Sequence, residues 1–550
     1  MKSEVYKILS INFSKNRTHG GSVLDNKNEV IENQNVDKDQ INEKKSNNCF
    51  FVGGDDWIEN KNLKKEEKER YKSKIKLFLK KYLLLDNVNF LFGTGSSIHL
   101  GAESIQEIPK QIIKKIQENN DIKELFENLK NKYEERKLLS SDIKEKIQKG
   151  NDCLIWENKI DNLEEELKNK LKKFKIEKEK VNLKEIIEEN KLTDSEKEKI
   201  YKLGIEVKLE DFLNYLYALK YLMEQSKGLI SEKEEIDIKK LEQLIKSIKK
   251  AIFEMCDIDR ISFDDNHFLK KEENKEIKNK MEKEGRYTYH KSLLTSLLQR
   301  PLNLRRANIF TLNYDLAFEY ACDELGIEYI NGFVGFNERN FRPEVYNYDF
   351  FFPGDTTEGK VRRIERVIKY YKLHGSLNWV YKNQNKNNPY GLYEIPIELV
   401  RMKLTNKTNN LGEIMIYPTS SKKEYTLNFP YSELFRKFAD RLQQPEAVLF
   451  VVGYSFYDEH INDIIYQALS NPSFTLIIVD FNGTKNDGEI KRLNDLKDPR
   501  IIICQGEELG DFKYFSKELL PTMDQEDTRA KVMNSLDKLY QTENDKKQEV

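Results

Sequence analysis

Residues 447–480 have the sequence AVLFVVGYSFYDEHINDIIYQALSNPSFTLIIVD, and this stretch decides the fold class. Its two ends, 447–453 and 474–480, are short apolar runs rich in Val, Ile and Phe, which predict buried strands. The segment 458–470 between them has the apolar periodicity of an amphipathic helix. A strand, a helix and a second strand in succession predict parallel pairing, because a parallel connection has to cross over the sheet.

The same alternation of strands and helices continues on both sides of this stretch. Further apolar runs that predict strands lie at residues 88–92, 307–311, 414–417 and 500–506. Helical patterns lie at residues 62–86, 316–326 and 431–444. We therefore expect an α/β protein built on a doubly wound parallel sheet with helices on both faces.

The chain divides into five stretches of different character. Residues 1–60 are polar and poor in aromatic residues over most of their length, which predicts a flexible N-terminal arm. Residues 61–106 and 301–520 carry the strand and helix pattern of the sheet domain. Between them, residues 107–300 are rich in Lys and Glu with apolar positions three and four apart, which predicts a large all-helical insertion. Residues 521–550 form a polar C-terminal tail.

Overall charge and composition exclude several classes of protein. Lys and Arg number 93 and Asp and Glu 94, so the net charge of −1 gives no general attraction to nucleic acid or anionic lipid. No run of about 18 apolar residues predicts a membrane span, and the N-terminus lacks the pattern of a signal peptide. The five cysteines are isolated, so no CxxC zinc or redox motif is present. We expect a reduced, soluble, cytoplasmic protein without a bound metal.

A glycine-rich pentapeptide, GTGSS at residues 93–97, follows the first predicted strand. Glycine lets the backbone approach a phosphate closely, and a helix that starts here would offer unpaired amides to an anion. The alternative is a tight turn from strand to helix without any ligand. The dinucleotide fingerprint GxGxxG is not met, because residue 98 is Ile.

Two further motifs, TLNYD at 311–315 and KLHGS at 372–376, contain the candidate catalytic residues. Asn313 can both donate and accept, which suits it to orient a ribose hydroxyl or a water molecule. Asp315 could accept a hydrogen bond from an amide of the ligand, or it could simply cap the following helix. His374 is the type of side chain best suited to exchange a proton near neutral pH, although a structural histidine is the alternative.

The ends of two later strands carry polar residues as well. GYSF at 453–456 is followed by Asp458 and His460, and Asp480 and Asn482 come directly after the strand at 474–480. In a doubly wound sheet these positions lie in the ligand crevice, where a ribose and an adenine would bind. Ordinary turn and cap interactions are the alternative for both.

Together and in this order, the motifs resemble those of sirtuins. GTGSS resembles the sirtuin phosphate loop GAGxS, TLNYD the TQNxD motif, KLHGS the catalytic HG, GYSF the ribose-contacting GTS and IVDFN the late asparagine strand. The phrases VKLEDFLNYL, FTLNYD and KLHGSLNW are similar to the bacterial antiphage-defence branch of sirtuin-like proteins. In architecture the chain is most similar to the sirtuin-like subunit that assembles with a HerA-type ring ATPase.

The resemblance implies a Rossmann-like, sirtuin-like fold that takes NAD as its substrate. Its implied catalytic residues are Asn313, His374 and Asp315. Its implied NAD-binding residues are Gly93, Thr94, Gly95, Ser96, Ser97, Thr311, Gly453, Ser455, Asp480, Asn482 and Cys504. The implied activity is that of an NAD glycohydrolase, which releases nicotinamide and ADP-ribose and acts in abortive infection. A homo-oligomer is expected, with the helical insertion serving assembly or regulation.

The sequence departs from the sirtuin pattern at two places. The paired CxxC motifs of the zinc ribbon are missing after His374, and residues 101–106, GAESIQ, replace the GIPDFR segment with its arginine. The zinc ribbon shapes the cleft for acyl peptides, so these departures favour NAD hydrolysis over protein deacylation. An ADP-ribosyltransferase or cyclase, a deacylase, and a non-catalytic sensor of NAD or ADP-ribose remain the alternatives.

Overall fold

A computed structural model gives the fold of the protein. It describes residues 48–58, 65–102, 120–139, 154–156, 180–182, 193, 197, 209–225, 237–258, 285–353, 361–404, 413–414, 431–485 and 488–520. Most of the expected N-terminal arm and all of the C-terminal tail at 521–550 lie outside the described residues.

The helices of the described chain are numbered in sequence order. They are α1 (Lys65–Leu83), α2 (Asn120–Leu139), α3 (Leu209–Gln225), α4 (Ile238–Cys256), α5 (Thr288–Leu298), α6 (Ala317–Leu325), α7 (Ile397–Leu404), α8 (Tyr431–Leu442), α9 (Glu459–Leu469), α10 (Glu489–Asp495) and α11 (Phe512–Tyr514).

The strands are numbered in the same way. They are β1 (Cys49–Val52), β2 (Asp55–Asp56), β3 (Val88–Phe92), β4 (Leu154–Trp156), β5 (Lys180–Asn182), β6 (Asn308–Thr311), β7 (Glu328–Ile330), β8 (Phe333–Val334), β9 (Arg339–Phe341), β10 (Phe351–Pro353), β11 (Val361–Arg363), β12 (Val367–Lys372), β13 (Trp379–Tyr381), β14 (Leu392–Glu394), β15 (Glu413–Ile414), β16 (Val448–Val452), β17 (Thr475–Asp480) and β18 (Ile501–Gln505).

The main sheet has nine strands in the order β2-β1-β18-β17-β16-β3-β6-β12-β7. Every pair from β18 to β7 is parallel, and only the β1–β2 hairpin at one edge runs antiparallel. Counted along the chain, the six strands from β12 to β18 follow the order 3-2-1-4-5-6 of the Rossmann fold. The structure thus confirms a mixed α/β protein with a Rossmann-like sheet.

Strands β3 and β16 at the centre of the sheet are buried at every position. Helices cover both faces, so neither face of these strands needs polar side chains. Residues that point to one face, such as Phe90 and Phe450, pack with ring centroids 4.7 Å apart. Residues that point to the other face, such as Leu91 and Val451, belong to a second core cluster. Because successive residues of these strands enter cores on opposite faces, almost every position is apolar, and the strands appear in the sequence as nearly continuous apolar runs.

The sheet domain extends beyond the boundaries expected from the sequence. β1 lies within the stretch assigned to a flexible arm, yet it pairs with β18 and buries Phe50 completely. α5 lies within the stretch assigned to the insertion, yet Leu293 and Leu294 pack into the core of the main sheet. Both segments are short, so composition averaged over longer windows concealed them.

The insertion is not all-helical where the structure describes it. α2, α3 and α4 pack around their own core cluster, but β4 and β5 form an antiparallel pair between α2 and α3. Ile155 and Trp156 explain the first of these strands, since β-branched and aromatic residues favour extended structure.

A second sheet is built from two strands that precede β12 and three that follow it, and the sequence predicted only one of these strands, at 414–417. Its five strands run in the order β15-β13-β14-β9-β8, and every pair is antiparallel. Each strand has only two or three residues, too few to show a clear alternation of polar and apolar side chains. Val380 of β13 and Tyr393 of β14 pack into the core of the α2–α4 cluster. The insertion therefore rests on this second sheet.

Two loops of the main sheet touch backbone to backbone where the strand order reverses. Gly95 follows β3, Gly453 follows β16, and a β carbon added to Gly95 would lie 2.6 Å from the α carbon of Gly453. Gly453 also has a φ of +63°, in the left-handed region that favours glycine. The Gly95 amide donates to the Gly453 carbonyl at 3.0 Å. This close approach requires glycine at both positions.

We expect Gly453→Ala to destabilise the protein by more than about 2 kcal/mol. The left-handed conformation alone costs an L-residue about 1–2 kcal/mol, and the contact with Gly95 adds to that cost. Chemical denaturation measures the difference. The matched control is Gly488→Ala, where an added β carbon would meet nothing within 4 Å. Equal unfolding midpoints for the two variants would contradict this account.

Candidate active site

The polar motifs predicted from the sequence follow strands that end at the same edge of the main sheet. Residues 93–97 follow β3, Asn313 follows β6, His374 follows β12 and Gly453 follows β16. Because these strands are parallel, their carboxyl ends share one edge, and the strand order reverses between β3 and β16. This is where doubly wound sheets bind ligands.

Asn313 clamps the loop after β6 to the loop after β3. Its side-chain nitrogen Nδ2 lies 3.0 Å from the Gly93 carbonyl oxygen, 3.1 Å from Ser96 Oγ and 3.0 Å from Ser97 Oγ. Its own amide donates to Thr311 Oγ1 at 3.1 Å. The structure thus brings together the first two predicted motifs, and one half-buried amide group joins them.

The glycine-rich loop differs from the helix start expected from the sequence. Two short 3₁₀ turns, Thr94–Ser96 and Ile98–Leu100, follow β3. Four of its five amides donate to carbonyl oxygens of the protein: Gly93 to Val452, Gly95 to Gly453, Ser96 to Gly93 and Ser97 to Thr94. The glycines are explained by packing against Gly453, so phosphate binding by this loop stays a prediction.

His374 lies beside Asp458, the acidic residue that follows the GYSF motif. The imidazole is 4% exposed, and its Nε2 lies 3.8 Å from Asp458 Oδ2. Asp458 precedes α9, and among the described contacts of that helix its side chain makes no capping hydrogen bond. A carboxylate in this position stabilises a protonated imidazole. The pair therefore joins the loops after β12 and β16.

A buried ion pair fixes the segment that precedes His374. Lys372 Nζ donates to Glu319 Oε1 at 3.0 Å and to the backbone carbonyl of Asp315. Glu319 also accepts from the Tyr370 hydroxyl at 3.1 Å. Burial raises the pKa of Glu319, and the neighbouring Lys372 opposes that rise. Sequence reasoning missed this pair, although Lys372 is the first residue of the KLHGS motif.

Asp315 takes the structural role that was the alternative for it. Its Oδ1 accepts from the Ala317 amide at 3.0 Å at the start of α6, and the residue is buried. An aspartate in this position satisfies an amide that the helix leaves unpaired. A contact of Asp315 with a ligand stays a prediction without a supporting contact.

The residues assigned to the adenosine end differ in their placement. Ser455 and Asn482 are exposed at the edge of the sheet. Asp480 accepts from the amides of Asn482 at 2.9 Å and Gly483 at 2.5 Å, so its carboxylate shapes the turn. Burial raises the pKa of Asp480.

Cys504 is not brought to the site. It lies within β18, is completely buried, and belongs to the core on one face of the sheet. Burial raises the pKa of its thiol to about 12. The strand continues for one more residue, so Gln505 is the residue at the edge, where its side chain accepts from the Thr484 amide at 2.8 Å.

Neither a metal-binding cluster nor a membrane-spanning helix is present among the described residues. In that part of the chain no three His, Cys, Asp or Glu side chains are grouped so that they could hold a metal ion. Among the described helices, none combines the length and apolarity needed to cross a membrane.

Residues 307–495 match the family model of the SIR2-like domain. The match includes Asn313, His374 and Asp458 and leaves out residues 93–97 and Cys504. No curated protein matches the chain. The match supports a sirtuin-like family and suggests an NAD-related activity, since the SIR2-like family uses NAD.

We expect Lys372→Met to lower the free energy of unfolding by about 3 kcal/mol, because it leaves the buried Glu319 without its cationic partner. Chemical denaturation at neutral pH measures the loss. The double variant Lys372→Met/Glu319→Gln should recover part of it, since no buried charge then remains. A single variant as stable as the wild type would rule out this role for the ion pair.

Proposed function

We propose that this SIR2-like chain is an NAD glycohydrolase, which cleaves NAD to nicotinamide and ADP-ribose. The observation that carries the proposal is the register of β6 and β12. Thr311 pairs with Lys372, so Asn313 and His374 each lie two residues beyond a paired position. The two candidate catalytic residues therefore leave the sheet side by side, within the segment that matches the SIR2-like domain.

The proposed reaction breaks the bond between the anomeric carbon of the ribose and the nicotinamide nitrogen. Positive charge develops on the anomeric carbon as nicotinamide leaves, and a water oxygen then bonds to that carbon. Asn313 orients the water or a ribose hydroxyl through its side-chain carbonyl while its Nδ2 holds the glycine-rich loop. His374 accepts the proton that the water loses, and Asp458 stabilises the imidazolium.

The remaining parts of the NAD site follow from the sheet edge. We place the pyrophosphate against residues 93–97 and the adenosine near Gly453, Ser455 and Asn482. NAD is the substrate in this scheme, and no metal takes part. Support for hydrolysis over deacylation comes from the sequence, which has no paired CxxC motifs after His374.

NAD turnover with identified products tests the proposal. We expect the wild type to release nicotinamide and ADP-ribose, and His374→Ala to lower the rate by about 10²–10⁴-fold through loss of the general base. Asn313→Ala should fall comparably, and Asp458→Asn should fall roughly tenfold, because only the orienting partner is lost. Mass spectrometry identifies cyclised or transferred ADP-ribose.

Asn337→Ala is the control, since Asn337 is exposed in the connection between β8 and β9. The assignment fails if Asn313→Ala and His374→Ala both retain full activity. If cyclic or protein-linked ADP-ribose is the main product, the activity is cyclisation or ADP-ribosyl transfer and not hydrolysis.

We further propose that the α2–α4 cluster regulates the site. Leu377, three residues after His374, belongs to the core of that cluster, and Tyr314, next to Asn313, packs against it. The Leu377 amide donates to the Tyr314 carbonyl at 3.1 Å, which joins the two catalytic loops on the side facing the cluster. A change in the cluster would thus reach both catalytic residues through one contact.

The proposal includes a cellular role as an antiphage effector of abortive infection. In this role the chain forms a homo-oligomer and assembles with a HerA-type ATPase. The support is the resemblance of residues 207–216 to the antiphage-defence branch of sirtuin-like proteins. Light scattering of the chain alone and with a co-expressed neighbour measures both, and a persistent monomer under both conditions would contradict them.

Asp257 anchors the α2–α4 cluster, and its replacement tests the regulatory link. Its carboxylate receives two hydrogen bonds from Arg401 of α7, at 2.6 and 2.8 Å, in a buried ion pair. We expect Asp257→Asn to lower the free energy of unfolding by about 3 kcal/mol and to lower NAD turnover. Lys220→Gln, which breaks the more exposed pair with Glu242 in the same cluster, should cost less than about 1 kcal/mol. Unchanged NAD turnover in Asp257→Asn would contradict the proposal that the α2–α4 cluster regulates the site.

A further inference from the structure

The edge of the main sheet opposite the catalytic loops carries an unbalanced group of cations. Lys369 of β12 lies among three arginines, Arg306, Arg363 and Arg441, and beside the carboxylate of Asp349. Like charges held together in a partly buried region repel one another strongly. Such an arrangement needs a compensating anion or carries an energetic penalty.

The carboxylate of Asp349 is already engaged by two of the arginines. Arg306 Nε donates to Asp349 Oδ1 at 2.5 Å, and Arg363 Nε donates to Asp349 Oδ2 at 2.8 Å. Both remaining nitrogens of Arg306 and the Nη1 of Arg363 donate to backbone carbonyls, among them those of Ile364 at 2.7 Å and Leu304 at 2.6 Å. Arg363 Nη2 lies 2.8 Å from Asp349 Oδ2. These arginines are structural. The negative charge of Asp349 balances the arginines and leaves the charge of Lys369 without a paired carboxylate in this group.

Lys369 itself has a neutral partner. Its Nζ donates to the backbone carbonyl of Tyr346 at 2.6 Å. Burial, reinforced by the charge of Arg441, lowers the pKa of Lys369 to about 8. A lysine with a lowered pKa regains its proton when an anion binds beside it.

A polar cavity of about 370 Å³ lies at this edge, at the end of α8. Its lining side chains are all polar: Asn347, Lys437, Asp440, Arg441, Gln443 and Gln444. Lys437 and Arg441 lie four residues apart on α8, so both extend from the same face of the helix. Lys437 Nζ contacts the neutral Asn347 Oδ1 at 3.1 Å. The two cations, Lys437 and Arg441, outnumber the single carboxylate of the lining, Asp440, so the cavity suits a small anion rather than an apolar ligand.

Helix polarity explains only part of this cluster. Cations near the C-terminal end of a helix interact favourably with its dipole, which accounts for Lys437 and Arg441 at the end of α8. It does not account for Lys369, which lies on a strand and is surrounded by arginines. The excess of positive charge therefore requires a second explanation.

We propose that this cavity is an anion site that binds a phosphate dianion, either inorganic phosphate or the phosphate group of a mononucleotide. Lys437 and Arg441 are the direct ligands, and Lys369 supplies positive charge behind them. Arginine pairs two donors with two phosphate oxygens, and lysine acts as a point charge. The site is separate from the proposed NAD-cleaving site, because it lies at the amino ends of the strands.

Calorimetric titration of the full chain with sodium phosphate tests the site, with sodium chloride of equal ionic strength as the blank. We expect saturable binding that weakens by about tenfold or more in Lys437→Met/Arg441→Met, since two charged hydrogen bonds are lost. Arg436→Gln is the control, because this residue lies on the same helix and is 62% exposed. Matching thermal unfolding curves establish that the variants fold. Phosphate binding that is absent, or equal in wild type and double variant, would overturn the proposal.

Proton uptake provides a second test. At pH 8 the binding heat should vary with the ionisation enthalpy of the buffer, because Lys369 takes up a proton as phosphate binds. Affinity should fall as the pH rises above about 8. Lys369→Met should remove this proton uptake, and uptake that persists in the variant would contradict the role of Lys369. Adenosine 5′-monophosphate bound more tightly than phosphate identifies a mononucleotide as ligand, whereas equal affinity for adenosine without phosphate would overturn the proposal.

Discussion

The backbone contact between Gly95 and Gly453 is the constraint on which the candidate site depends. It lies where the strand order of the sheet reverses, and two loops can meet there only because neither residue has a β carbon. Once they meet, Ser96 and Ser97 are buried within reach of the Asn313 amide. The packing of the first two loops thereby fixes the position of a third loop, the one that carries the candidate catalytic residue Asn313.

The charged groups at the two edges of the sheet differ in the partners that they have. Lys372 and Glu319 are almost fully buried and stabilise each other next to His374. At the opposite edge, Asp349 balances Arg306 and Arg363, while Lys369 donates to the neutral carbonyl oxygen of Tyr346. Buried charges are costly unless they are paired. The contrast between the two edges is what distinguishes a structural ion pair from a region suited to an external anion.

The long central strands were predictable because both of their faces are buried. β3, β16 and β18 consist almost entirely of apolar residues, and such runs stand out without any knowledge of the fold. The second sheet was not predictable, since strands of two or three residues carry too little pattern. The same limit applies to β4 and β5, which made the insertion more than helical. Cys504 was placed at the ligand edge for a different reason: its strand includes Gln505, so the cysteine lies inside the strand and not beyond its end.

The sequence by itself determined the alternation of strands and helices and the order of the polar motifs at the strand ends, because both depend on residues close together in the chain. Only the tertiary structure decided what each polar side chain does there. Asp315 caps a helix two residues away, whereas Asn313 binds Gly93, which is 220 positions distant. Asp458 meets His374 only because β12 and β16 end at one edge. A side chain's role follows from the partner within its reach, and distant partners are chosen by the packing of the whole sheet.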